Sequence, residues 1–238
     1  MPSINEDLKV KLTIDKYTLD NVNRKMKLRI GKEIVPDNTG QYSIPKELFT
    51  DKKRVIDEVR YKINGSKTDF IGSKIEYNNI TIYDKYEKIV ILLESPHRNE
   101  YDYSFNPIGP AQGVTGNNIE RFLGELIDRL HINQTKDYVF ILMNPVQWQC
   151  SLGSFYNEGL IETFRNNIWT KLFHLYSEEF KNQIELYNPS IIINTCTIGR
   201  EKRVIDSINQ VKALSNSTKF HCHHPSCWHY KGLNLNKY

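Results

Sequence analysis

The chain is poor in cysteine. Four of its 238 residues, Cys150, Cys196, Cys222 and Cys227, are cysteines at uneven spacings, which excludes a disulfide framework as the source of stability. No segment approaches the roughly 20 consecutive apolar residues that a bilayer-crossing helix needs. The polar start MPSINEDLKVK lacks a signal-peptide core, so a cytoplasmic chain with free thiols and no membrane partner is expected. Internal repeats, low-complexity linkers and a dominant charge are also missing. The 32 Lys and Arg against 28 Asp and Glu leave a net +4, which permits a polyanionic partner without requiring one. What is there, 39% hydrophobic and 25% charged residues, is a globular composition, long enough for one sizeable core and a smaller appended unit.

Two textures divide the chain near residue 86. Over residues 1–86, the runs LKVKLTI, KMKLRIG and KIEYNNITIY alternate as half-buried strands do, and KELFTDKKRVIDEVRYKI reads as a helix carrier. This predicts a small α+β or β-rich extension without a catalytic signature of its own. Over residues 87–238, the continuous apolar runs KIVILLES, YVFILMNP and SIIINTC have the length and branching of strands buried on both faces. Between them NNIERFLGELIDRL, LIETFRNNIWTKLFHLYSEEFKNQIELY and REKRVIDSINQVKAL show helical spacing, the second long enough for two helices. The succession predicts an α/β domain: a three-layer α/β/α sandwich around a central four-stranded, mostly parallel sheet. Ligands of such sheets bind at the carboxyl ends of the strands, where ESPH, NPVQW, NTCTIG and HCHHPS stand.

The segment HCHHPSCWHY, residues 221–230, gathers four of seven histidines and two of four cysteines. A metal site is one reading. Against it, Cys222 and Cys227 lack the C-x2-C spacing of common structural sites and no second ligand cluster accompanies them, so no metal is expected.

Read in order, the four strand ends resemble those of the uracil-DNA glycosylase superfamily. Leu93-Glu94-Ser95-Pro96-His97 stands where that family carries GQDPYH or GEAPG, and GPAQGVTG, residues 109–116, is similar to the GPGQAHG that follows. FILMNPV places Asn144 at the second-strand asparagine, and His224-Pro225-Ser226 matches the closing HPS loop. The resemblance spans about residues 88–236. It implies enzymes that flip a nucleotide from the stack and hydrolyse its N-glycosidic bond, leaving an abasic site. By that resemblance His224 donates a hydrogen bond to the pyrimidine O2 as negative charge builds there, and Asn144 reads the base edge. Ser226, with Pro96 and Gln112, lies at the DNA backbone. Trp228 occupies the place of the wedge that fills the vacated stack. Some branches hold an iron-sulfur cluster, and Cys150 stands near the cysteine that follows their second strand, but no amino-terminal C-x-x-C accompanies it; no cofactor is expected.

The departures carry the specificity. Alignment on the proline puts Ser95 where the water-positioning aspartate stands and Glu94 one residue earlier, so Glu94 is the candidate carboxylate, with Asp102 in reserve. His97 replaces the tyrosine that blocks bulky 5-substituents. The loop RNEYDYSFNPI is long, and Asn117-Asn118 stand where a phenylalanine stacks on uracil, leaving Phe105 or Tyr101 and Tyr103 as aromatic platforms. With Ser95, His97, Phe105 and Asn144 around the base, the expectation is a monomeric glycosylase acting on double-stranded DNA. Its target would be a modified pyrimidine, such as glucosylated hydroxymethylcytosine in bacteriophage genomes, removed as antiviral defence. Two alternatives are a repair enzyme for uracil or another damaged base and a member that binds nucleic acid without cleaving it.

Overall fold

The computed structural model describes residues 4, 6–11, 25–28, 30–65, 67–75, 80–155, 159–197 and 199–238, with side chains at 153–155 and 159–160 left aside. Parts of the LKVKLTI, KMKLRIG and KIEYNNITIY runs lie outside the described residues. Among the described residues twelve strands, β1–β12, and four α-helices, α1–α4, are numbered in chain order.

A mixed seven-stranded sheet organises the molecule. Its centre is the apolar runs of the second half: β8 (Asp137–Met143), β7 (Glu87–Leu92), β10 (Ile191–Asn194) and β11 (Thr218–His221), adjacent in that order and parallel. Three antiparallel strands extend it. β5 (Glu58–Asn64) and then β6 (Lys67–Lys74) add beyond β8, and β12 (Asn236–Lys237) adds beyond β11. The α/β class is as expected, but the sheet is larger than four strands because both its edges come from segments that read as polar or as parts of other elements.

Side-chain alternation explains how helices cover this sheet. Ile89 and Ile91 on β7 pack into one cluster with Ile119, Leu123, Leu126 and Leu130 of α1 (Val114–Leu130). Val90 and Leu92 enter a second cluster with Phe164, Ile168, Leu172 and Ile184 of α2 (Gly159–Tyr187) and with Val204 and Ile208 of α3 (Arg200–Asn209). Strands buried on both faces therefore read as unbroken apolar runs. α2 is one helix of 29 residues, not two: its apolar positions recur at three and four without a glycine or proline to break them after Gly159.

The segment 46–64 corrects the helix expected there. Short 3-10 turns at Lys46–Phe49 and Asp51–Lys53 lead into β5, because Val59, Tyr61 and Ile63 sit between β6 and β8, where branched and aromatic side chains pack well on a pleated surface. Of the described residues before Glu87, β5 and β6 thus extend the main sheet. β1 (Leu8–Lys11) pairs with β4 (Gln41–Ile44), and β2 (Met26–Leu28) lies between β3 (Glu33–Ile34) and β9 (Gly153–Phe155). Leu8, Val10, Met26 and Tyr42 join the cluster that holds α2. Among the described residues no helix is long and apolar enough to cross a membrane.

Candidate active site

The crossover α1 follows β7 on one face of the sheet and α3 follows β10 on the other, so the loops leaving these neighbouring strands diverge. The carboxyl ends of β7 and β10 are therefore where a sheet of this topology takes its ligands. Glu94, two residues past β7, is buried there. One carboxylate oxygen forms an ion pair with Arg200 of α3; the other accepts from the Thr197 backbone N–H at 3.1 Å and its hydroxyl at 2.6 Å. Arg200 also donates to Asn166 and to Thr197 Oγ1, and its guanidinium lies 5.7 Å from the Trp169 ring centre. The Glu94 backbone carbonyl accepts the Trp169 indole N–H at 3.0 Å. Both ends of Glu94 are therefore occupied, and its carboxylate is anchored with its charge compensated.

The closing loop fixes the protonation of its histidine. The Ser226 backbone N–H donates to His224 Nδ1 at 3.3 Å, and the Ser226 hydroxyl lies 2.9 Å from the same atom. A nitrogen that accepts carries no proton, so the neutral ring holds its proton on Nε2 and presents that N–H as a donor. Burial lowers the His224 pKa, with Glu94 opposing and His97 and Arg165 reinforcing the shift. The imidazole is thus held neutral. Asn118 of α1 ties this loop down by donating to the Pro225 carbonyl at 2.8 Å.

A second polar group lies beyond β8. Asn144 follows that strand directly and is 1% exposed, yet neither atom of its amide completes a hydrogen bond; the same holds for Gln149, also 1% exposed. Glu100, on the loop after β7, is 3% exposed: Oε1 accepts the Ala111 N–H at 3.1 Å, and Oε2 has no partner. The Asn144 amide approaches Glu100 closely enough to lower its pKa, but burial outweighs this and pushes the carboxyl up to about 8. Buried polar atoms are nearly always paired, so unpartnered ones gathered on adjoining loops mark a place built for something else to bind. The loop around them is tightly shaped. Ala111 has φ +52°, and any side chain on Gly116 would meet the Ala111 carbonyl at 2.1 Å.

Other expected site residues are placed differently. Trp228 is 1% exposed, its indole N–H bound to the His223 carbonyl at 2.7 Å and its ring edge-on to Phe122, so it is a core group and not a projecting wedge. Phe105 stacks on Tyr101 at 4.5 Å and lies under Lys53, pinning its loop to the amino-terminal segment rather than offering an open platform. Asp102 accepts from Ser104, from the Asn106 N–H and from the Asn106 amide, which makes it a turn former. Gln112 donates to the Pro110 carbonyl at 3.2 Å, and Pro96 is buried. Ser95 reaches the Cys150 thiol, which burial pushes up to about 12; His97 is exposed beside the site. The histidine-rich segment disperses: Cys222 is buried, His221 faces Glu201 at 3.8 Å, and Cys227 accepts from the Tyr230 hydroxyl.

Reading the sequence missed Glu100, Gln149, Arg165 and Arg200. Arg165 acts electrostatically on both His224 and Cys150, and its Nε is buried without a hydrogen-bond partner. Only Arg200 had a signal, a basic residue opening the helix that follows β10. The broad surface depressions lie elsewhere; the one of about 670 Å³ lined by Ile63, Gly124 and His131 is at the amino ends of the strands. No family model, curated protein or solved structure matches this chain.

Proposed function

We propose that the protein is a DNA glycosylase that takes a modified pyrimidine nucleotide out of the duplex and hydrolyses its N-glycosidic bond. The observation that carries this reading is the state of His224, a neutral imidazole whose Nδ1 is engaged by Ser226, so that its one ring proton sits on Nε2 as a donor. In the reaction the C1′–N1 bond breaks and its electron pair leaves with the base, while the sugar takes up positive charge and then the oxygen of a water whose proton ends on the departed base anion. His224 donates to the pyrimidine O2 as that negative charge develops, a contribution of about 3 kcal/mol. Arg165 adds a positive charge near enough to act on His224. Asn144 supplies an uncommitted amide for the base edge, and the carboxylate of Glu94 stands at the strand ends from which water approaches the sugar. Duplex DNA, including phage genomes with bulky 5-substituents, is the proposed partner.

A specific observation favours a second reading. Both Glu94 oxygens are already committed, as suits a protein that binds nucleic acid without cleaving it. Comparing wild type with His224→Ala on duplexes carrying one modified pyrimidine, with alkali to reveal abasic sites, separates the two. A glycosylase releases base and loses at least ~100-fold in rate with His224, as when a transition-state contact is removed. Binding without release in both proteins supports the non-cleaving reading.

A further inference from the structure

The polar atoms without partners near Asn144 define more than an opening. Glu100 reaches that place from the loop after β7, with Oε1 committed to the Ala111 N–H and Oε2 bare. The groups around it are the Asn144 amide at the end of β8, the backbone N–H of His97 and the guanidinium of Arg60 on β5. Arg60 is itself paired with Glu58 and donates to the Pro110 carbonyl, so its charge is compensated before it reaches Glu100. On the same loop, Asp102 is exposed and Lys53 is bound to the Phe105 carbonyl, which leaves both directed elsewhere. Burial without a full cationic partner keeps the carboxyl protonated at neutral pH, its pKa pushed up to about 8. Because Oε1 accepts, the proton belongs on Oε2. A carboxylic acid in that state is a donor, not a base.

Resting on the proposed glycosylase reading, we infer that Glu100 is a specificity-determining residue whose Oε2–H selects pyrimidines with an acceptor at N3, the cytosine class, over those with a proton at N3, the uracil class. Cytosine offers N3 to Oε2–H and its 4-amino group to the Asn144 carbonyl oxygen. Uracil offers N3–H, which sets donor against donor. Gln149, whose backbone N–H donates to the Tyr101 hydroxyl at 3.1 Å beside Glu100, brings a second uncommitted amide to the adjoining loop.

The test uses two duplexes identical except at one base, 5-(glucosyloxymethyl)cytosine or 5-(glucosyloxymethyl)uracil, in single-turnover release between pH 6.5 and 9. Wild type is expected to prefer the cytosine form by ~100-fold at pH 7, as a site left with mismatched polar groups rejects an analogue strongly. That preference falls as pH rises through about 8 and Oε2 becomes an acceptor. Glu100→Gln keeps a carbonyl oxygen for Ala111 and an N–H donor in place of Oε2–H, so it retains the preference and loses the pH dependence. Equal release of both bases, a preference flat with pH in wild type, or loss of the preference in Glu100→Gln overturns the inference while leaving the glycosylase reading intact. No release of either base overturns both.

Discussion

Removing Arg200 tests what holds the candidate site in shape. The Arg200 and Glu94 side chains are 9% and 11% exposed, and Arg200 supplies one of the three side-chain or backbone donors that satisfy the Glu94 carboxylate. Arg200→Met leaves that carboxylate buried with only Thr197, and breaking a buried pair from one side costs about 3–5 kcal/mol. For a chain of this size each kcal/mol lowers the melting temperature by roughly 2–4 °C, so a fall of about 6–20 °C is expected by circular dichroism. Glu94→Gln together with Arg200→Met removes both charges and recovers part of the loss, since residues in contact couple by about 0.5–3 kcal/mol. A loss below about 1 kcal/mol in the single variant, or no recovery in the double, refutes the pairing as an anchor. The same proteins divide the roles of Glu94. Base release that returns in the double variant makes Glu94 a positioning residue; a stable double variant that stays inactive gives its carboxylate a part in the chemistry.

Three further outcomes follow from the same geometry. Because His224 must be neutral to accept from Ser226 and its pKa is lowered below 6.5, the acid limb of base release should lie below the usual histidine range, with the rate maintained as pH falls through 7; a rate already halved on going from pH 7.5 to 7 contradicts this. Glu100 has a raised folded pKa, so the folded state keeps a proton that the unfolded state releases, and its contribution to stability is lost as pH rises from about 4.5 through about 8. Urea unfolding of Glu100→Gln should therefore vary less with pH over that window than wild type, and parallel curves would count against it. Arg165→Ala should weaken DNA binding and flatten its dependence on salt, as when one cation leaves a nucleic-acid contact; an unchanged slope removes Arg165 from the interface.

The parallel centre of the fold was legible because strands covered on both faces must be apolar throughout, and β7, β8 and β10 are. β5 was not, since Glu58 and Arg60 interrupt its pattern; they are buried as a pair, and a pairing across one residue leaves no periodic trace. The strand-end motifs led to Glu94, Asn144 and His224 because chain order alone places carboxyl ends of neighbouring parallel strands side by side. Burial could not be read for Trp228 and Phe105. Trp228 opens the short helix α4 (Trp228–Lys231) in a polar stretch and is covered by Phe122 from α1, while Phe105 stacks on Tyr101 of its own polar loop and is held there by Lys53 from the amino-terminal segment. Glu100 escaped for a related reason: a glutamate in a polar loop looks solvated until the loop folds back through Ala111 and Asn144.

The most direct measurement is an abasic-site assay on the purified full chain, offering unmodified DNA, uracil-containing DNA and genomic DNA from a phage with glucosylated hydroxymethylcytosine, each followed by alkali. Strand breaks in the phage DNA that disappear with His224→Ala are the predicted result. Intact strands in all three DNAs, with binding retained, would contradict the assignment of a glycosylase.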